Sequence, residues 1–149
     1  MDTVTIQLEE IMLQPASAIT AGAVVLAVIT IAFGGTFVLR VVTGKQKANA
    51  LQKGFFRAGH AHAGVLVILG LVVLLLLDSS GVTGWMHLGA DGVLVSAILI
   101  PAGFFLSVLG RDPQKPSGVI ALVWTGFGLL TVSLLVAGIA LIVAGAAAL

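Results

Sequence analysis

The chain contains no cysteine and no tyrosine, and only 9% of its 149 residues are charged. Without cysteine, disulfides, thiolate catalysis, iron–sulfur clusters and cysteine zinc sites are excluded. Without tyrosine, one common proton donor is missing. A soluble domain carries about 25% charged residues, so this composition cannot cover a water-facing surface. The net charge of +1 gives no indication of a nucleic-acid partner.

Hydrophobic residues make up 59% of the chain and are concentrated in four long uncharged stretches. These predict transmembrane helices at about 18–40, 59–78, 88–110 and 118–146, because a helix of about 20 residues crosses a ~30 Å hydrocarbon core. Helices satisfy their backbone polar groups internally, and long apolar runs do not fit the alternating pattern of a barrel strand. The sequence therefore predicts a single all-α membrane domain over 1–149, a four-helix bundle.

All seven basic residues flank or occupy two of the three connections between the predicted helices. Around the first connection, at 43–57, lie Arg40, Lys45, Lys47, Lys53 and Arg57. Arg111 and Lys115 lie in the third connection, at 111–117. The positive-inside rule places both connections in the cytoplasm and both chain ends outside, in what we expect to be a bacterial plasma membrane. The five basic side chains around the first connection are predicted to contact lipid headgroups.

The first connection mixes apolar and basic residues. Leu51, Phe55 and Phe56 can dip into the bilayer while the neighbouring lysines face anionic headgroups. This pattern favours an interfacial helix lying on the membrane surface before the second span begins.

Nineteen glycines predict close approach between helices. In lipid there is no hydrophobic drive between helices, so small residues that let backbones meet contribute most to association. The candidates are Ala18 with Gly22, Gly34, Gly35, Gly64, Gly70, Gly126, Gly128, Gly138 and Gly145. Such residues suit packing within the bundle or against other membrane helices, from copies of this chain or from a larger complex.

Two histidines open the second span, in the run 59–64, Gly-His-Ala-His-Ala-Gly. Residues two apart on a helix point about 200° apart, so His60 and His62 cannot both bind one metal ion if the helix has already begun. Two interpretations stay open. Either both are interfacial imidazoles bonded to water or carbonyl groups, or one is a haem or metal ligand or a proton carrier.

The run His60-Ala61-His62, followed by glycine and a Leu/Val-rich span, resembles the histidine-bearing helices of haem-copper-oxidase-related membrane proteins. It also resembles the second helix of the small hydroxylaminobenzene mutases, which cross the membrane four times. These resemblances imply a ligand role for a histidine of this run. Two departures matter: the further histidines of a haem-copper site are missing, and the mutase Glu after the His is replaced by Ala63 and Gly64.

A second polar group is predicted at the outer end, where Asp78, His87 and Asp91 fall close to Trp85. His87 and Asp91 are four residues apart and share a helix face if the third helix begins before them. A carboxylate that orients an imidazole can fix a ligand tautomer or relay protons. Alternatively, Asp91 caps the third helix. The second helix separates this group from His60 and His62 by about 25–30 Å, which disfavours a shared three-histidine centre.

These features favour a non-catalytic accessory or scaffold subunit that packs against other membrane helices. The chain shows no charged path through the spans, no nucleotide-binding loop and no nucleophile beside a base. One alternative is a histidine-dependent haem- or metal-binding oxidoreductase, or a mutase acting on a small lipophilic substrate. Another is a transporter or channel, which would need several copies of the chain because the spans carry no charges at mid-membrane. The candidate ligands or proton-relay residues are His60, His62, His87 and Asp91, with His62 as the candidate cofactor ligand. The identity of any cofactor, haem or metal, is left open.

Overall fold

The structure is a computed structural model that describes residues 13–149. Within these residues the regular structure is entirely helical: α1 (Pro15–Val42), α2 (Ala50–Ser79), α3 (Leu88–Ser107) and α4 (Ala121–Ala147). Short 3₁₀ turns, Gly84–His87 and Gly118–Ile120, lead into α3 and α4. Each of the four helices, with its 3₁₀ turn where it has one, is long and apolar enough to cross a membrane. The prediction of an all-α protein with four such helices is confirmed.

Helix α2 begins at Ala50, well before the predicted start at 59, so the first connection is shorter than the predicted 43–57. A reciprocal cap explains the difference. The Asn49 side chain accepts from the Gln52 backbone N–H at 2.9 Å, and the Gln52 side chain accepts from the Asn49 backbone N–H at 3.1 Å. This cap satisfies two N–H groups that a helix start otherwise leaves unpaired.

The early start of α2 also places its aromatic residues in the bundle instead of in the membrane interface. Phe56 is buried with Val41 and Val108, and Leu51 and Phe55 pack against the same cluster. The Phe56 ring stacks on Phe105 of α3, with centroids 5.5 Å apart. The separate interfacial helix predicted for 43–57 is therefore wrong, because these side chains find protein partners.

The helices pack in chain order, with α2 and α3 as the central pair. Helix α1 packs mainly against α2, and α4 packs mainly against α3. The first and third connections meet at one end, where Asn49 Nδ2 donates to Asp112 Oδ1 at 2.8 Å. We refer to this end, where all seven exposed basic residues lie, as the basic end, and to the opposite end with Asp78, His87 and Asp91 as the acidic end.

Glycine allows the close approach of α3 and α4. A Cβ added at Gly103 would lie 2.7 Å from the Val123 backbone nitrogen, and one added at Gly126 would lie 3.2 Å from the Ile100 backbone nitrogen. The first distance is shorter than real Cβ contacts and the second is tight, so a larger residue at Gly103 would force α3 and α4 apart. Of the predicted packing glycines, Gly35, Gly70 and Gly126 have close neighbours. Gly22, Gly34, Gly64, Gly128, Gly138 and Gly145 have no neighbour within 4 Å in the described residues.

Candidate functional site

A buried carboxylate organises the acidic end. The Asp78 side chain is 3% exposed and accepts three hydrogen bonds from three parts of the chain. His87 Nε2 lies 2.7 Å from Oδ1, the Ser17 hydroxyl donates to Oδ1 at 3.0 Å, and the Gln14 backbone N–H donates to Oδ2 at 3.0 Å. Because a carboxylate only accepts, His87 Nε2 carries the proton in this contact. Asp78 thus joins the start of α1, the end of α2 and the turn before α3.

Local geometry at the end of α2 brings His87 to Asp78. Gly81 adopts φ +65°, which glycine tolerates and which ends the helix. The Gly81 and Val82 N–H groups bond to the carbonyls of Asp78 and Leu77, both at 3.0 Å, which is the Schellman pattern. The chain then reverses, and the 3₁₀ turn Gly84–His87 places the imidazole over the carboxylate.

The structure pairs His87 with Asp78, and Asp91 makes no hydrogen bond or ion pair with any described residue. His87 and Asp91 were predicted to share a helix face, which requires a regular α-helix through both positions. The α-helix begins instead at Leu88, after the 3₁₀ turn that contains His87, and no hydrogen bond or ion pair joins the two side chains. Asp91 is exposed and lies in the first turn of α3. A carboxylate there also interacts favourably with the helix dipole.

His60 and His62 contact different neighbours, as the helical spacing predicts. His60 packs against α1 at Gly35, where an added Cβ would lie 3.2 Å from His60 Nε2. His62 lies on another face of α2, with its ring stacked on Phe104 at a centroid distance of 5.3 Å and edge-on to Phe127 at 5.8 Å. The two imidazoles therefore do not form one cluster.

The tautomer of neutral His62 is set by its own helix. Its Nδ1 lies 2.8 Å from the carbonyl oxygen of Ala58, and a carbonyl only accepts, so Nδ1 is the donor. The proton-free Nε2 keeps its lone pair and makes no hydrogen bond within residues 13–149. A ring held through one nitrogen with the other left free is the usual arrangement of a metal-binding histidine.

Distance separates His62 from the acidic end. Asp78 lies sixteen residues after His62 on α2, which is about 24 Å along the helix. In the part of the chain that the structure describes, no group of three His, Cys, Asp or Glu side chains is placed to hold a metal ion. A metal site that uses His62 therefore lacks a full set of ligands among residues 13–149.

A second buried polar side chain, at the basic end, was missed by the sequence analysis. Gln52 is 6% exposed, and its Nε2 donates to the carbonyls of Val108 at 3.1 Å and Gly110 at 3.0 Å. It thereby holds the start of α2 to the end of α3. The signal was present in the sequence, because Asn49 and Gln52 have the three-residue spacing of a capping box.

An open groove lies between α1 and α3, over one side of α2. Its volume is about 600 Å³, within the range of small-molecule sites. Ala63 and Val67 of α2 form its floor. Its walls come from the stretch 19–31 of α1 and the stretch 91–101 of α3. We refer to this feature as the α1–α3 groove; Asp91 is the charged residue among those that line it.

Comparison of the chain with models of protein families, with curated proteins and with solved structures gives no match. Function is therefore inferred from the contacts, burial and charges of the chain's own residues.

Proposed function

We propose that this protein is a non-catalytic accessory or scaffold subunit that packs against a partner membrane protein through the outward face of α1. The observation that supports this most strongly is the sparse packing of α1. Of its 28 residues, only Ser17 and Val41, near its two ends, are buried. The middle of the helix contacts the bundle along one side, at Val24, Ile31 and Gly35, and its other sides are exposed.

The outward face of α1 has the spacing of a helix–helix seam. Gly22, Leu26, Ile29 and Phe33 follow one another at intervals of four, three and four residues, which places them on one stripe. Leu26, Ile29 and Phe33 are 67%, 66% and 76% exposed, and Gly22 has no neighbour within 4 Å. Exposed apolar residues alone are ordinary in lipid. Large side chains that flank an unfilled glycine also fit a packed partner helix.

Photo-cross-linking from α1 tests this function. A photoreactive residue at Leu26 is expected to capture one defined membrane protein, and the same residue at Phe33 is expected to capture the same protein. Leu135 on α4 is the matched control, because it is also a leucine and is 60% exposed. We expect at least about threefold more adduct at Leu26 than at Leu135, since a packed seam holds its partner in contact. Equal yields at both positions, or adducts with the chain itself alone, would contradict an accessory role.

In this proposal the basic end faces the cytoplasm of a bacterial cell and the chain lies in the plasma membrane. The support is the gathering of all seven exposed basic side chains at one end of the bundle. The absence of cysteine makes the test direct. In intact cells an impermeant maleimide should label a cysteine introduced at Ser80 and leave one introduced at Lys45 unlabelled. The reverse pattern would invert the orientation.

A second candidate function follows from the free Nε2 of His62. We propose, as the alternative, that His62 is a haem or metal ligand in a membrane oxidoreductase or mutase, with another chain supplying the opposing ligand. The purified protein should then show a Soret band or a stoichiometric metal content. The signal should disappear in His62→Ala and persist in His60→Ala, because His60 packs on Gly35 instead. Loss in both variants, or no signal in the wild type, would count against this role.

A further inference from the structure

The α1–α3 groove carries Asp91 and Thr20 at one end. Along the rest of its length the lining is apolar except for Thr30, whose hydroxyl bonds to the Ala27 carbonyl of its own helix. Asp91 lies at the acidic end, four residues after His87, so its carboxylate is about 6 Å deeper than the His87–Asp78 contact. Thr20 of α1 lines the same groove three residues beyond Ser17, which bonds to Asp78, and therefore lies at a similar depth. A carboxylate and a hydroxyl thus stand on opposite walls of the groove.

Within residues 13–149, neither polar side chain has a hydrogen-bond partner, so each can bind another molecule. Asp91 has no hydrogen-bond partner among residues 13–149. The hydroxyls of Thr30, Thr36 and Thr43 each bond to a carbonyl of α1, at 2.6, 2.7 and 2.8 Å, whereas the Thr20 hydroxyl makes no such bond. A carboxylate that faces a lipid-exposed groove is costly unless a counter-charge or a donor accompanies it. This end of the groove therefore complements a cation that can donate hydrogen bonds.

The remainder of the groove suits a slender hydrocarbon chain. The walls and floor carry small side chains, including Ala23, Ala27, Ala63 and Ala97. From Asp91 to Pro101, α3 advances about 15 Å, which is long enough for an alkyl chain of about a dozen carbons. The groove runs along the helices, so its polar end lies near the membrane surface and its apolar part points to the bilayer centre.

We propose that the α1–α3 groove binds a single-chain cationic amphiphile, that is, a long-chain ammonium compound. Its ammonium group donates to the Asp91 carboxylate and the Thr20 hydroxyl, and its alkyl chain lies along the alanines toward Pro101. An amphiphile in a bilayer already has this orientation, with its head at the interface and its tail inward, so the ligand enters without turning over. The site uses the inner flank of α1, and it is independent of the accessory role assigned to the outward face.

Binding of dodecylamine to the full chain tests this proposal. The protein is placed in phosphatidylcholine nanodiscs, and tritiated dodecylamine bound to empty nanodiscs is subtracted. We expect saturable binding of one molecule per chain. Dodecanol and dodecanoate, which share the chain length and lack the cation, should compete at least about tenfold more weakly, because a charge-assisted hydrogen bond contributes about 1.5–3 kcal/mol.

Variants separate the head site from the tail site. Asp91→Asn should weaken dodecylamine about tenfold, and Asp91→Glu, which keeps the charge, should bind nearly as the wild type. Ala27→Trp fills the groove and should abolish saturable binding, whereas Ala32→Trp, on the same helix outside the groove, should not. If Asp91→Asn does not assemble, Thr20→Val serves in its place, with an expected loss of about threefold.

Three outcomes would overturn the proposal. If Asp91→Asn, or Thr20→Val where it replaces that variant, binds dodecylamine with wild-type affinity, these residues do not bind the ammonium group. If dodecanol competes as strongly as dodecylamine, the groove binds alkyl chains without selecting a cationic head. Loss of saturable binding in phosphatidylethanolamine nanodiscs would show that the groove holds a two-chain membrane lipid through its ammonium headgroup instead of a single-chain amphiphile.

Discussion

Asp78→Asn is expected to destabilise the protein by about 3 kcal/mol and to release the start of α1 from the bundle. The carboxylate accepts from His87, Ser17 and the Gln14 backbone, and its side chain is 3% exposed. An amide keeps one acceptor oxygen and turns an N–H₂ group toward the remaining donors. If the amide oxygen takes the Oδ1 position, the N–H₂ group faces the Gln14 N–H; if it takes the Oδ2 position, Ser17 and His87 must change from donors to acceptors. In both cases hydrogen bonds to a charge are replaced by weaker neutral ones.

The measurement is equilibrium unfolding in mixed micelles, with Asp91→Asn as the matched control. Both variants make the same chemical change at the same end of the bundle. Asp91 has no partner among the described residues, so its variant should lie within about 0.5 kcal/mol of the wild type. In Asp78→Asn, a cysteine introduced at Ser17 should also react faster with a thiol reagent than in the parent background. Similar unfolding curves for the two aspartate variants would show that Asp78 does not hold α1.

The number of helices could be predicted from the sequence, and one helix start could not. Uncharged runs of about 20 residues leave few alternatives in lipid. Hydropathy marks where charged residues begin, however, and Lys53 and Arg57 set the predicted start of the second span too late. Helix α2 continues through both, because exposed basic side chains on its surface do not interrupt the backbone hydrogen bonds. The Asn49–Gln52 cap marks the true start.

The sequence indicated which polar residues take part in contacts, but it did not indicate which partner each one has. Helical spacing placed His60 and His62 on different faces, and the structure agrees. The partner of His87 depended on a 3₁₀ turn and on Gly81, a combination that composition does not reveal. The α1–α3 groove lay beyond sequence reasoning for a related reason. It exists because α1 and α3 stand apart, and the spacing between helices depends on packing partners that a single sequence does not specify.

The sequence also does not show which glycines contact a neighbouring helix. A pair of glycine-to-alanine variants can measure this difference. Gly103→Ala should destabilise the protein by about 1–3 kcal/mol, because the new Cβ would lie 2.7 Å from the Val123 backbone nitrogen. Backbone cannot rotate away as a side chain does, so α3 and α4 must separate. Gly128→Ala in α4 has open space and should instead stabilise by about 0.5–1 kcal/mol, since alanine favours the helix.

The two alanine variants are compared by unfolding in the same micelles, and their effects are expected to have opposite signs. That contrast isolates packing from helix propensity, because the propensity gain is common to both glycines. Two results would contradict a glycine-dependent α3–α4 contact: stabilisation by Gly103→Ala, or equal destabilisation by both. The second result would place Gly128 against a neighbour outside the chain. That neighbour would contact α4, and the accessory role would need a second docking surface besides the outward face of α1.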